Sequence, residues 1–510
     1  MASEAQPQTG HGVPGQEHPP AADHEHGHFG PEMWVIPERS GLVADVTAKN
    51  QAGSSLLRTV FIAGGALTIL GIVGFVLKLA TAGFSDHRAW GFYVAAFAFV
   101  FTLTASAPLA ACAFRFTKSH WRRPLSRIAE IFSLVSIVNI LLFIPALIAL
   151  PDIGVMTESG EQMVRRSIWF QELINPAGWL MAAMVGLAFC SLAILWLASM
   201  PDMAQSRGLV SGFKASLYQR LAGGWYGTKR QWQIQKAGLA ILGAFYFMLV
   251  VFVQFLIVSD FAMAMIPGWK DSILPPFYTV ISFQSGLALI VVTAYALRRW
   301  GGYREYIGQA PFWAASKVLL GLTLLHTYHL FAFFITYWYG RLEVEQAILN
   351  YLMFDSYIGI FWAQLFFTFF IPFPILVSNH ARRLGWGAPL AGVFILIGLL
   401  LWHVRIFAAA FAAAPADLHG LYFLPSEAFA LPALLCQVTA TEVCNVTAAR
   451  FPDLWDIFML LGAVGIVLLM FRVGTMLLPP LSMWEVKEGS MYQRVDTLIR
   501  GRYLVLAKPE

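Results

Sequence analysis

Ten long apolar stretches run through this chain and leave it few ways to fold outside a lipid bilayer. A helix that crosses the hydrocarbon core of about 30 Å needs about 20 apolar residues, because each residue rises about 1.5 Å. Of the 510 residues, 58% are hydrophobic and only 12% are charged. We therefore predict an all-α polytopic membrane protein with about ten transmembrane helices. They lie near 56–80, 89–114, 126–150, 176–200, 236–258, 275–298, 312–338, 357–378, 387–412 and 455–479.

Basic residues alternate between the two sides of these spans. With ten spans both termini share one side, and the connections 2–3, 4–5, 6–7 and 8–9 on that side carry 16 Lys and Arg, counted with the adjoining span ends. The five opposite connections carry 6. Loops rich in Lys and Arg stay in the cytoplasm. The bias therefore predicts that both termini are cytoplasmic.

The composition divides the chain into three parts. Residues 1–55 are polar and are predicted to form a disordered or interfacial cytoplasmic segment, without a cleavable signal peptide. Residues 56–479 form the transmembrane domain, and residues 480–510 form a cytoplasmic tail. Two four-helix bundles plus two extra helices would account for ten spans. Spans 1 to 8 could supply those bundles, although periodicity alone does not select this division.

Four cysteines limit the redox chemistry that the chain can hold. Cys112 and Cys190 lie in spans 2 and 4 and are expected to be small core residues. Cys436 and Cys444 lie in the connection 9–10, where an oxidising compartment would favour a disulfide over two free thiols. An iron–sulfur cluster needs about four thiolates. We therefore expect no such cluster in this chain alone, and no motif indicates a metal site or nucleic-acid binding.

Polar residues within spans are costly in lipid and often mark pathways or partners. Some have simpler roles open to them: Glu130 could neutralise Arg127, and Lys317 could extend to the interface. Arg405 could pair with an acid on another helix. The candidates for a proton path are Glu130, Asn139, Lys317, His326, His329, Gln364, His403 and Arg405.

Histidines in spans 7 and 9 raise the question of haem. His326 and His329 are three residues apart and therefore share a helix face. A transmembrane b-type haem would need a second histidine on a facing helix, and His403 is the only other histidine in a span. A hydrogen-bonded polar network is the simpler expectation, and we expect no bound haem.

Two classes of function remain after the motif search. The chain has no phosphate loop, no HExxH motif and no plausible Ser–His–Asp order. One class is the membrane subunit of a redox complex that handles quinone or protons. The other is a secondary transporter, which often has Gly- or Pro-broken helices in matching halves. Span 8 contains Pro372 and Pro374, but no matching break is visible in the other half.

Several local motifs favour the first class. They are RFTKSHWRRPLSRIAE at 115–130, GWYGT at 224–228 followed by Gln231-Trp232, VSDFA at 258–262 continuing as IPGWKDSILPPF at 266–277, PDLWD at 452–456, and WEVK at 484–487. Together they resemble the NrfD-like family, the membrane subunits of polysulfide-reductase-type complexes. The likeness is greatest to the ten-span subunit of alternative complex III, and it extends over roughly residues 55–490.

The resemblance implies a function and a set of partners. Such subunits carry no redox cofactor and exchange electrons with quinone or menaquinone near the periplasmic face of the bacterial inner membrane. The implied partners are the lipid bilayer, a periplasmic iron–sulfur or molybdopterin-like subunit, c-type cytochrome subunits and other membrane subunits. Proton conduction is a further implied property.

The expected quinone pocket departs from the family pattern. No histidine occurs at 142–147, and Gln254 replaces a histidine six residues before Asp260. We predict Asp260 as the proton acceptor, with Gln254 and Glu172 as polar neighbours and Trp269 and Phe277 as apolar walls. Gln254 and Asp260 lie about 9 Å apart along the helix axis and about 120° apart around it, so other helices must complete the pocket.

Two alternatives to this pocket remain open. Asp260 could instead cap the following loop or pair with Lys270. If the pocket is lost, the chain is an anchoring or proton-conducting subunit.

Overall fold

The computed structural model describes residues 41–151, 154–157, 160–163, 177–266, 269–413, 449–498 and 501–506. Ten helices in this part of the chain are long and apolar enough to cross a bilayer, which confirms the prediction of an all-α polytopic membrane protein. In chain order the spans are Ser55–Ala82, His87–Phe116, His120–Ile148, Ala177–Ser206, Lys229–Met265, Leu274–Trp300, Ala310–Gly340, Ile358–Val377, Gly387–Ala412 and Leu454–Leu477.

Shorter elements lie between and beyond the spans. An N-terminal helix, Leu42–Ala52, precedes span 1, and a C-terminal helix, Met483–Met491, follows span 10. The connections contain the helices Gly212–Ala222, Glu343–Leu349 and Asn379–Arg383. Two antiparallel hairpins pair Gly154–Thr157 with Gly160–Met163 and Gln493–Leu498 with Gly501–Leu506.

The spans pack as two four-helix bundles with one helix pair beside them. Spans 2–5 form the first bundle and spans 6–9 the second, and spans 2 and 6 pack against each other at their interface. A Cβ atom on Gly286 of span 6 would lie 2.7 Å from the backbone of Ser106 in span 2, so the two helices approach closely. Span 2 is accordingly almost wholly buried.

The assignment of the bundles to spans 1–8 is wrong, because spans 1 and 10 pair with each other. A Cβ atom on Gly71 would lie 2.6 Å from the Cα atom of Gly462, and Gly64, Gly74 and Gly465 make similar backbone approaches. Small residues allow transmembrane helices to pack this closely. Spans 1 and 10 are therefore the two extra helices, and span 10 places the pair against span 2.

The alternation of spans defines two faces of the molecule. We call the side with the connections 2–3, 4–5, 6–7 and 8–9 the basic face and the other side the opposite face. The N-terminal helix packs on the basic face, where Thr47 donates a hydrogen bond of 3.4 Å to Ser206 and Asp45 accepts one from Tyr306. The three-part domain division remains a prediction.

Candidate functional site

A row of buried polar side chains lies where the two bundles meet. Thr102 and Ser106 are four residues apart on span 2 and face Tyr278 and Ser282, which are four apart on span 6. The hydroxyls of Thr102 and Tyr278 are 2.8 Å apart, and those of Ser106 and Ser282 are also hydrogen-bonded. We call these four residues, together with His403 and Gln254, the central polar row.

His403 joins the row from span 9. Its Nδ1 atom lies 2.7 Å from the carbonyl oxygen of Leu399, which can only accept, so Nδ1 carries the hydrogen. In the neutral ring Nε2 is then an acceptor, and it lies 3.1 Å from the hydroxyl of Thr102. Tyr278 can donate to Thr102 in turn. The single hydroxyl hydrogen of Thr102 is also within reach of the carbonyl oxygen of Ala98, at 2.6 Å, so Thr102 is the shared contact of His403 and Tyr278 in one polar group.

Gln254 joins the row from span 5, and its amide Nε2 donates a 2.9 Å hydrogen bond to the hydroxyl of Ser282. Its side chain is fully buried. The predicted quinone-pocket residue therefore takes part in a network between the bundles. Tyr278, Ser282 and Thr102 were missed at the sequence level, because neutral hydroxyl residues are common in spans and give no distinct signal.

A second polar group lies inside the second bundle. The Nδ1 atom of His326 is 2.9 Å from the side-chain oxygen of Gln284, and the Gln284 amide donates a 3.0 Å hydrogen bond to Thr323. Both His326 and Gln284 are buried. His326 therefore belongs to a hydrogen-bonded network on spans 6 and 7.

Arg405 is buried in the same bundle, within a π-helical turn, Val404–Ala408. Its Nε atom donates a 2.9 Å hydrogen bond to Gln364, and Nη1 donates one of 3.2 Å to the carbonyl oxygen of Leu352. Its guanidinium also lies 5.3 Å from the ring centre of Phe361. Among the described residues Arg405 is thus held by neutral groups, not by the acid that the sequence suggested.

Two buried carboxyl groups lie near the opposite face, where spans 5 and 6 are connected. Asp260 is fully buried in the last turn of the helix in span 5. Asp271 is also buried, and burial raises the pKa of its carboxyl group to about 6. The backbone N–H of Ile273 donates a 2.7 Å hydrogen bond to this carboxyl group, which lowers the pKa but does not outweigh burial. Asp271 was missed from the sequence, although it lies within the motif that contains Asp260.

The predicted apolar walls lie on different neighbours. Phe277 packs edge-on against His326 at 5.0 Å, stacks on His329 at 5.8 Å and meets Trp402 at 5.9 Å between ring centres. It therefore faces spans 7 and 9. Trp269 is buried in the connection between spans 5 and 6.

Glu130 lies far from these groups, in a buried ion cluster at the basic face. We define the basic-face ion cluster as Arg115, Arg122, Arg127, Glu130, Asp202 and Glu485. Glu485 lies 2.8 Å from both Arg115 and Arg122, and Arg127 lies 2.8 Å from Asp202. Glu130 pairs with Arg115 and, at 3.6 Å, with Arg127.

Three of the sequence motifs converge on this cluster. Trp484, next to Glu485, donates its backbone N–H to Asp202 at 2.9 Å. The Trp484 ring lies 5.4 Å from that of Trp232, which lies 5.0 Å from Trp225. The motifs at 115–130, 224–232 and 484–487 therefore build one joint, which attaches the C-terminal helix to the first bundle.

Asn139 lies inside the first bundle and donates a 3.0 Å hydrogen bond to Thr104. Both line a void of about 10 Å³ with Ser136, Ser191 and Tyr246. This is about the space that one water molecule needs. Its polar lining suits a bound water.

The remaining candidates lie at the edge of the bundles or outside the described residues. Lys317 is exposed, and its ammonium lies 3.2 Å from the ring centre of Trp313. His329 is half-buried and is hydrogen-bonded to the carbonyl oxygen of Leu325 at 2.8 Å. Glu172, Cys436 and Cys444 fall outside the described residues.

Comparison with known proteins identifies the family. No curated protein matches the chain. A family profile described as polysulphide reductase, NrfD, matches residues 81–414. The match covers spans 2–9, which are the two bundles, and leaves out spans 1 and 10. Since it covers more than half of the sequence, the chain belongs to the polysulphide reductase NrfD family, membrane subunits of quinone-interacting oxidoreductase complexes.

Proposed function

We propose that this chain exchanges electrons with quinol or quinone, menaquinone included, near its opposite face, as a subunit of a respiratory or photosynthetic electron-transfer complex. The observation that carries the proposal is the pair of buried carboxyl groups, Asp260 and Asp271, at one connection of the family's core domain. Buried ionisable groups at the edge of a membrane domain are expensive and are typical of functional sites.

The chemistry of quinol accounts for two acids. Oxidation of one quinol releases two electrons and two protons. The electrons pass to a redox partner, and the protons need acceptors within hydrogen-bond reach. A carboxyl group whose pKa is about 6, as for Asp271, can take and release protons near neutral pH. Asp260 is the first acceptor in this proposal, and Asp271 passes a proton towards the opposite face.

The partners follow from the same chemistry. The chain would deliver electrons to, or receive them from, a periplasmic iron–sulfur or molybdopterin-like subunit, with c-type cytochromes beyond it. The opposite face would then be periplasmic and the basic face cytoplasmic, in a bacterial inner membrane. The excess of Lys and Arg on the basic face supports this orientation.

Proton conduction through the membrane is a second part of the proposal. The basic-face ion cluster lies at one end of the first bundle, and the small void beside Asn139 and the central polar row both lie at the middle of span 2. In the second bundle His326, Gln364 and Arg405 provide further polar positions. Water molecules between such groups would allow a proton to move without a charged side chain crossing the membrane.

A quinone-inactive role is the alternative, and one observation favours it. Gln254, which replaces a family histidine, cannot titrate, and its amide is engaged by Ser282. If the pocket has been lost, the same chain would anchor the redox subunits or conduct protons only.

Substitution of Asp260 by Asn separates these roles, because it keeps the shape and removes the titratable charge. We expect quinol oxidation by the assembled complex to fall by about 100-fold or more, the usual contribution of a general base. The matched control is Asp86→Asn, which changes an exposed carboxylate on the same face. A normal rate and pH dependence in Asp260→Asn would make Asp260 structural and place the site elsewhere.

A further inference from the structure

A cavity of about 240 Å³ lies between spans 1, 2, 3 and 10, and we call it the lateral slot. Its walls combine the extra helix pair with two helices of the first bundle. It reaches from mid-membrane towards the opposite face, since it is bordered by Thr68 in the middle of span 1 and by Tyr93 near the start of span 2. The slot is therefore built partly from helices that the family match leaves out.

The lining of the lateral slot is mostly apolar and suits a hydrocarbon chain. None of the described residues that line it carries a charged side chain. Both of its hydroxyl groups are already engaged, because Thr68 donates to the carbonyl oxygen of Gly64 and Tyr93 to that of Leu142, each at 2.7 Å. Neither hydroxyl therefore has a hydrogen left to donate to a polar headgroup. The slot thus accepts an apolar chain.

The slot is open to the lipid side. Ile72 of span 1 and Leu141 of span 3 both line it, and they are 57% and 61% exposed. An exposed apolar side chain on a transmembrane helix faces lipid. A chain can therefore enter the slot from the bilayer without crossing a polar region.

Aromatic rings connect the slot with the proposed quinol site. Phe97 lines the slot, and its ring centre lies 5.4 Å from that of Phe143. The Phe143 ring lies 5.7 Å from that of Phe261, which directly follows Asp260 in the chain. The slot and the last turn of span 5 are thus joined by a continuous apolar row.

We propose that the lateral slot binds the isoprenoid chain of the quinone whose ring reacts beside Asp260. This inference rests on the proposed function and adds a role for spans 1 and 10. Glycines at the contact between spans 1 and 10 hold these two helices together. Span 10 packs against span 2, and the slot lies beside this contact. The extra helix pair would then select quinones with long tails.

Filling the slot tests the proposal in the assembled complex. Ala463 of span 10 and Ala96 of span 2 line the slot, so Ala463→Leu and Ala96→Leu each place new atoms in it from a different side. We expect each variant to raise KM for a long-tailed quinol by about fivefold, the effect of losing a modest packing interaction in lipid. KM for a quinol with a one-isoprene tail should change much less. The control is Ala244→Leu on the lipid-exposed side of span 5.

The outcomes separate the two proposals. Equal changes in KM for both quinols, or none in either variant, would overturn the assignment of the tail to the slot. So would native mass spectrometry in which the filled variants lose a bound phospholipid but keep quinone. Absence of activity with both quinols in the unsubstituted complex would instead refute the proposed function itself. If one variant fails to assemble, the other still decides, because it alters a different helix.

Discussion

Replacement of Glu485 by Gln removes one negative charge from the basic-face ion cluster and keeps the side-chain shape. Glu485 is fully buried and lies 2.8 Å from both Arg115 and Arg122. Burial alone would raise its pKa, but the two guanidinium groups outweigh burial and lower the pKa well below the ordinary value. The ionised carboxylate is therefore the form that holds the C-terminal helix on the first bundle.

The size of the effect follows from what remains after the substitution. Arg115 would keep Glu130 as a partner. Arg122 would keep only the hydroxyl of Ser126, at 3.3 Å, among its described side-chain partners. Removal of one member of a buried ion pair usually costs about 3–5 kcal/mol. Because one arginine remains paired, we expect a loss of about 3 kcal/mol in the free energy of unfolding.

The pH dependence gives a second readout. A carboxyl group with a lowered pKa contributes stability above its ordinary pKa of 4.5 and loses it as the pH falls through the folded value. The difference in the free energy of unfolding between Glu485→Gln and the unsubstituted protein should thus have its largest value at pH 7 and decrease below about pH 4.5. Denaturant unfolding in detergent measures it, and faster trypsin cleavage at Lys487 would report release of the helix.

Glu488 supplies the matched control on the same helix. Its carboxylate is 21% exposed and pairs with Lys236 at 3.3 Å and Arg123 at 3.6 Å. The pair with the exposed Lys236 contributes about 1 kcal/mol or less. Arg123 is buried, so we expect Glu488→Gln to cost more than an exposed pair, but less than Glu485→Gln because Glu488 is partly exposed and its contact with Arg123 is longer. If Glu485→Gln destabilises the protein no more than Glu488→Gln, the cluster does not anchor the C-terminal helix and the reasoning is refuted.

Two further predictions concern the opposite face and the topology. Burial raises the pKa of Asp271 from 3.8 to about 6, so its ionisation penalises the folded state as the pH rises through this range. Asp271→Asn should therefore gain about 3 kcal/mol in stability relative to the unsubstituted protein between pH 4 and pH 7, at 1.36 kcal/mol for each pKa unit; parallel stability curves would contradict this. A cytoplasm-active reporter should work when fused at Glu510 and be silent when inserted in the connection 413–454, and the reverse result would reject the orientation.

The sequence alone determined the class, the number of spans and the family. The apolar stretches near 89–114 and 387–412 became spans 2 and 9, with bounds His87–Phe116 and Gly387–Ala412. This works because the length of an apolar run reports directly whether a segment prefers lipid to water. The resemblance in short motifs also drew attention to Asp260 and Gln254, although it gave no reason to single out Asp271.

Only the tertiary structure decided how the spans are arranged and which polar groups meet. Hydropathy distinguishes segments that lie in lipid from segments that lie in water. The lipid-facing and core-facing sides of a span are both apolar, however, so periodicity did not show that spans 2–5 and 6–9 form the bundles. The partners of Thr102 on spans 6 and 9, and those of Glu485 on spans 2 and 3, are far away in the sequence. Such contacts depend on close backbone approach, as between Gly71 and Gly462, and exist only once the helices have packed.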